Sequence, residues 1–111
     1  MFLQLQKPKK INNPNKVKAI GISAFDGCES LDSIEIPRSI DEIPNWCFNN
    51  CKKLRKVTIP DSVKKIGSRA FFSCESLNSI GIPRSIDEIP NGCFSNCYSI
   101  KAIYIHNNSK K

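Results

Sequence analysis

The sequence predicts a mostly β fold of stacked short repeats, and three observations predict it. Apolar residues fall into columns at a step of 23 residues, the apolar spacing inside each step is of strand type, and the composition is that of a folded chain. Stepping by 23 from Cys28 reaches Cys51, Cys74 and Cys97, and the same step links Phe25, Phe48, Phe71 and Phe94. Leu31, Leu54, Leu77 and Ile100 form a third column; Ile34, Val57, Ile80, Ile103 and Ile36, Ile59, Ile82, Ile105 form two more. Val17, Ile40, Val63, Ile86, then Ile20, Ile43, Ile66, Ile89, then the small residues Ala24, Cys47, Ala70, Cys93 complete the set. So many columns at one spacing are the mark of a repeat array, in which each unit borrows its core from its neighbours.

Within a unit, Leu31-x-x-Ile34-x-Ile36 is the strand signature of a leucine-rich repeat, whose period runs about 20–29 residues. Ile34 and Ile36 are two apart and share one face of a strand. Pro37, in a column with Pro14, Pro60 and Pro83, stops that strand because it has no amide donor. Ile40 and Ile43 predict a second short strand or extended segment. Ala24-Phe25 to Cys28 predicts a helical or 3₁₀ turn. The expected architecture is a right-handed leucine-rich repeat solenoid of about four 23-residue coils, mostly β with short helical turns. It covers residues 14–105, between a basic N-terminal segment (1–13) and a C-terminal tail (106–111).

A 46-residue period lies over the first: Cys28–Leu54 matches Cys74–Ile100 at 20 of 27 positions. Stacking sets equivalent residues of adjacent units side by side, about 4.8 Å apart. The columns Asp41, Lys64, Asp87; Glu42, Lys65, Glu88; Glu29, Lys52, Glu75; and Arg38, Asp61, Arg84 therefore put opposite charges in contact at each step, and Asp32 faces Arg55. Exposed pairs of this kind contribute roughly 0–1 kcal/mol each. Their larger effect is on register, since a one-unit slip stacks like charges.

Ile66-Gly-Ser-Arg-Ala-Phe-Phe-Ser-Cys-Glu-Ser-Leu-Asn-Ser-Ile-Gly-Ile-Pro83 followed by Arg84-Ser-Ile resembles the BspA-like leucine-rich repeat, Ile-Gly-x-x-Ala-Phe-x-x-Cys-x-x-Leu-x-x-Ile-x-Ile-Pro-x-Ser-Val. The resemblance covers Pro14 to Ile105. Pro44, Pro90, Cys47 and Cys93 stand where that pattern has Gly and Ala, substitutions expected to keep size and burial. The resemblance implies a surface antigen of bacteria or parasitic protists that works in adhesion, at the cell surface.

The net charge is +7, from 17 basic and 10 acidic residues. Ala19 to Tyr104 holds all 10 acids and 10 of the bases, so the excess lies in Lys7, Lys9, Lys10, Lys16, Lys18, Lys110 and Lys111. Such tails attract acidic partners or serve solubility; nucleic acid is not the expected partner. There is no run of 18 apolar residues and therefore no span, and the start does not read as a signal peptide. The array stops after Ile105 without a polar capping unit, which predicts a fragment or ends that stack on another chain, including end-to-end self-association.

Six cysteines allow three readings. Cys28, Cys51, Cys74 and Cys97 lie one coil apart, within reach of a disulfide; Cys47-x3-Cys51 and Cys93-x3-Cys97 offer thiolates to zinc at an unfavourable spacing; and all six can be small buried hydrophobes, as the alternation of Cys with Ala suggests. The phenylalanine column reads as an internal spine. Trp46, which shares a column with Ser23, Arg69 and Gly92, and Phe72, which shares one with Asp26, Asn49 and Ser95, break the repeat and are candidate binding residues. Arg69 suits a cation–π contact with Trp46 and shares a face with Phe72 if the turn is helical.

The strand surface should show Ser33, Glu35, Lys56, Thr58, Ser79, Gly81, Ala102 and Tyr104. Tyr104 is its one aromatic, and no dedicated pocket is expected there. His106 is the sole histidine, no nucleophile or base can be built around it, and neither a cofactor nor a metal is expected. Asn107-Asn-Ser109 matches a glycosylation sequon. The expected function is a non-catalytic protein- or glycan-binding module of adhesin type; the alternatives are an intracellular scaffold with basic tails, or a fragment of a longer repeat protein.

Overall fold

The computed structural model describes residues 2–3 and 17–106. Most of the basic N-terminal segment, Pro14, the sequon and the terminal lysines lie outside the described residues. Eight short strands occur: β1 (Phe2–Leu3), β2 (Ala19–Ile20), β3 (Ser33–Glu35), β4 (Glu42–Ile43), β5 (Lys56–Thr58), β6 (Lys65–Ile66), β7 (Ser79–Pro83) and β8 (Ala102–His106). All pairing is parallel, and from β3 onward each pair is offset by the repeat step: Ser33 with Lys56, Glu42 with Lys65, Ser79 with Ala102. Ile34 and Val57 point inward while Ser33, Glu35, Lys56 and Thr58 face solvent, the alternation expected of a strand with one wet face.

The strands pair in twos: β1–β2, β3–β5, β4–β6 and β7–β8. In the second strand of each unit the reason is chemical. Gly67 N–H donates to Ile43 O at 2.7 Å and locks β6 onto β4. Pro44 and Pro90 occupy the same position in the neighbouring units and have no hydrogen to donate. The glycine is needed too, because a Cβ on Gly67 would lie 2.6 Å from Pro44 C and closer still to Asn45 N and Oδ1. Gly and Pro are therefore complementary between units, not equivalents of one size.

The segment expected to be helical is not. No helix occurs among the described residues. Ala24, Asp26 and Cys28 N–H groups close turns onto Gly21, Ser23 and Phe25 carbonyls at 3.1 Å, while Phe25 and Gly27 N–H groups donate to Cys47 O and Asn49 O of the next unit at 2.9 and 2.8 Å. Alternate amides thus serve the turn and the stack. Aiming them both ways requires left-handed residues at two positions per unit: Ser23, Trp46, Arg69, Gly92 and Gly27, Asn50, Ser73, Asn96, with φ of 55–70°. A helix has no such residues.

The core is the set of columns read from the sequence. Phe25, Phe48, Phe71 and Phe94 form a stacked spine with centroids 5.1, 5.3 and 5.5 Å apart and planes within 10°. Two polar ladders flank it. Ser39, Ser62 and Ser85 hydroxyls donate to Val17, Ile40 and Val63 carbonyls at 2.6–2.9 Å. Cys51, Cys74 and Cys97 thiols donate to Phe25, Phe48 and Phe71 carbonyls at 3.0–3.2 Å. All six cysteines are buried and none is joined to another in a disulfide, so the aligned sulfurs of Cys51, Cys74 and Cys97 satisfy carbonyls and do not cross-link units. The expectation of burial fails in the last unit: Ile89, Ile103 and Ile105 are exposed, and Phe94 and Ile100 only partly buried.

The charge columns are partly realised. Arg38–Asp61 (3.6 Å), Lys52–Glu75 (3.1 Å) and Arg55–Asp32 (3.6 Å) pair as expected. Lys64 and Lys65 close no ion pair among the described residues; Lys64 Nζ donates instead to Asp61 O at 3.3 Å.

Candidate functional site

Trp46, Arg69 and Phe72 come together. The Arg69 guanidinium carbon lies over the Trp46 ring, 5.4 Å from its centroid, and Phe72 meets Trp46 edge-on at 5.8 Å. The helical turn invoked to bring Arg69 and Phe72 onto one face is absent; a hydrogen-bonded turn, Phe72 N–H to Arg69 O at 3.2 Å, does so instead. Trp46 and Arg69 are exposed and Phe72 is half-buried.

Each of the three breaks a local rule. Trp46 (φ 61°) and Arg69 (φ 55°) are bulky residues in the left-handed region, where a non-glycine residue costs about 1–2 kcal/mol and a bulky one is an outlier. Ser23 and Gly92 fill the same position in the other units. Phe72 removes a hydrogen-bond partner. Asn49 Nδ2 donates to Asp26 Oδ1 one unit before it at 3.0 Å, but the buried Asn49 Oδ1 has no partner, because the residue one unit after it is Phe72, which has no polar side-chain atom. Such an orphaned acceptor costs roughly 1–3 kcal/mol.

Tyr104 stands apart from this cluster, on β8. It lines a depression of about 480 Å³ on the strand surface with Arg55, Lys56, Asn78, Ser79 and Gly81. A second depression of about 420 Å³ shares Arg55 and Asn78 and is edged by Tyr98 and Lys101. The sequence led to no expectation of a dedicated pocket there, because the surface is small and mixed with one aromatic, and the depression is open to solvent. The sheet is interrupted between β5 and β7.

Sequence reasoning also missed the serine ladder and Asn49. The serines stand in a 23-residue column of their own and were readable; the orphaned Asn49 oxygen was not, since it depends on which way its amide points. Among the described residues no cluster of three metal-ligating side chains occurs. Burial pushes the Cys47, Cys74 and Cys97 thiols up from their ordinary value, and Cys93 to about 12, so these sulfurs are held as neutral thiols. No helix of the described residues is long and apolar enough to cross a membrane.

The family of the BspA type Leucine rich repeat region (6 copies) matches residues 1–111. A leucine-rich cell surface protein of Faecalibacterium prausnitzii is 26% identical, with a TM-score of 0.74 over 97% of this chain and 35% of its own. A leucine-rich repeat protein of Bacteroides capillosus is 25% identical, with a TM-score of 0.72 over 95% of this chain and 76% of its own. The pneumococcal vaccine antigen PcpA shares the fold at 20% identity and a TM-score of 0.65, over 92% of this chain and 31% of its own. The chain thus spans about a third of the F. prausnitzii protein. No curated protein matches it.

Proposed function

The chain belongs to the BspA-type leucine-rich repeat family, and from that premise we propose that it is a non-catalytic, adhesin-type module that binds a protein or glycan on another surface through Trp46, Arg69 and Phe72. We further read the array as about four stacked right-handed coils, a reading supported by the 23-residue register of the parallel pairs. One observation carries the binding assignment. Three residues that the repeat does not require, each at a cost to stability, converge on one exposed patch. Folded proteins break local rules chiefly where function demands it, and Trp and Arg are the side chains that most often dominate interfaces. The family's surface proteins supply the context.

The test reverts the patch to residues found in its own columns. Trp46→Ser copies Ser23, and Phe72→Asn copies Asn49 and returns a donor to the column. The double variant is expected to melt near the parent temperature, the hydrogen bond regained by Asn49 offsetting the lost aromatic contact, and to lose binding to host cells or immobilised matrix protein. A lower melting temperature with unchanged binding overturns the assignment and makes the cluster structural. Deleting the basic tails forms the control: loss of binding on tail removal alone, tracking ionic strength, favours an electrostatic scaffold.

A further inference from the structure

Resting on the binding surface proposed above, we infer that its partner is an acidic peptide segment, with a Glu or Asp carboxylate seated on Arg69 and a neighbouring apolar side chain on Trp46 and Phe72. Three observations lead there.

The first is unanswered charge. Arg38, Lys52 and Arg55 each meet an acid of an adjacent unit within 3.6 Å. Arg69 is exposed and has no carboxylate within ion-pair distance among the described residues, because its column holds Ser23, Trp46 and Gly92. The patch is therefore an apolar pair with one uncompensated cation.

The second is how Arg69 is held. Its guanidinium lies over Trp46 on one side. On the other its stem lies against Gly92, where an added Cβ would come within 3.0 Å of Arg69 Cγ and 3.3 Å of Nε. Stacking occupies the face of a guanidinium and leaves the N–H groups in its plane, in the fork that a carboxylate accepts bidentately. Gly92 thus acts as a positioning residue: a side chain there would push the arginine stem from its place over Trp46 by a few tenths of an ångström.

The third selects peptide over sugar. A sugar ring needs a broad open aromatic face, and Arg69 over one face of Trp46 and Phe72 packed against the same ring narrow the aromatic surface on offer. The two depressions beside Tyr104 and Tyr98, the kind of place small ligands usually occupy, are lined by other residues than Trp46, Arg69 and Phe72. A patch of aromatics and arginine outside them suits an extended peptide side chain by side chain.

Trp46 is the only tryptophan in the chain, so its emission reports on this patch alone. The full 111-residue chain would be titrated at low salt with three probes: a blocked peptide alternating Leu and Glu, its Leu/Gln counterpart, and an oligogalacturonate of equal charge. The Glu peptide is expected to shift Trp46 emission saturably, with a Kd about tenfold below that of the Gln peptide, as a charge-assisted pair supplies. Arg69→Gln should erase that preference, and Gly92→Ser should weaken it while leaving the binding groups in place. Equal Kd values for the Glu and Gln peptides overturn the carboxylate assignment and leave the surface itself standing. Tighter binding of oligogalacturonate overturns the choice of peptide. No response to any probe, in a protein whose attachment to matrix still depends on Trp46 and Phe72, overturns the acidic-peptide inference alone; attachment that ignores both residues overturns the surface as well.

Discussion

Deleting the Phe71 ring tests the assignment of inner and outer faces most directly. Phe71 is fully buried and stacks on Phe48 at 5.3 Å and Phe94 at 5.5 Å, both within 5° of parallel. The void left by Phe71→Ala cannot close by drawing the units together, because Phe48 N–H to Ala70 O (2.7 Å) and Phe71 N–H to Cys93 O (3.0 Å) already set their spacing. The loss should therefore fall in the upper part of the roughly 3–5 kcal/mol typical of buried Phe→Ala. Phe72 is half-buried with one edge contact at 5.8 Å, and Phe72→Ala should cost about 1–2 kcal/mol, an aromatic pair plus partial burial. Phe94→Ala, with one stacked neighbour and a partly open side, should fall between. In urea, at a slope of about 2 kcal/mol/M, Phe71→Ala should lower the midpoint by about 2 M and Phe72→Ala by less than about 1 M. Equal losses at Phe71 and Phe72 would refute the assignment of faces; equal losses at Phe71 and Phe94 would refute the opening of the core in the last unit.

Gly67→Ala, which at an unstrained site would stabilise by reducing unfolded-state entropy, should instead lower stability by about 1–3 kcal/mol in thermal melts, because its Cβ strikes the Pro44–Asn45 backbone. The buried thiols set an alkaline limit. Cys93 titrates near 12 in the fold against 9.0 for an ordinary thiol, so between these values the folded state holds a proton the unfolded state has lost. Stability is full below about pH 9 and should fall above it at about 1.4 kcal/mol per pH unit for each such thiol. A flat pH dependence of urea midpoints from 8 to 11 would contradict that burial. Lys52→Glu should break the 3.1 Å pair with Glu75 and set like charges side by side, a loss of about 1 kcal/mol that added salt reduces. Lys64→Glu with Lys65→Glu, where no ion pair closes among the described residues, should lose less; a larger loss than at Lys52 would show that those columns govern register.

The repeat, its core columns and the ends of β3 before Pro37 and β5 before Pro60 were legible in the chain itself; the stop expected at Pro83 fails, because β7 runs through it and Pro83 pairs with His106. Stacking gives every unit the same surroundings, so a side chain suited to one unit recurs at the next, and the period of the structure is written as the period of the sequence. That is why the Phe spine, the strand ends at Pro37 and Pro60 and three of the charge pairs could be read directly. The handedness of individual residues could not. Nothing in the local sequence marks Trp46 or Arg69 for the left-handed region, where propensity alone would put Gly or Asn. Trp46 is held there by its neighbours: its N–H donates to Ser68 O in the next unit at 3.1 Å while its own carbonyl receives Asn49 N–H at 3.1 Å. The same bonds replaced the expected helical turn and carried Arg69 over the indole ring. Tertiary packing likewise decided the pairing of β4 with β6, because an amide donor is absent at Pro44 and Pro90 and present at Gly67. It also set the depression beside Tyr104, where β5 and β7 belong to separate sheets and only Asn78 N–H reaches Arg55 O, at 3.3 Å, just before the two strands. Periodicity reports what all units share; a site made of the residues in which units differ takes its geometry from hydrogen bonds between units, and only the folded chain contains those.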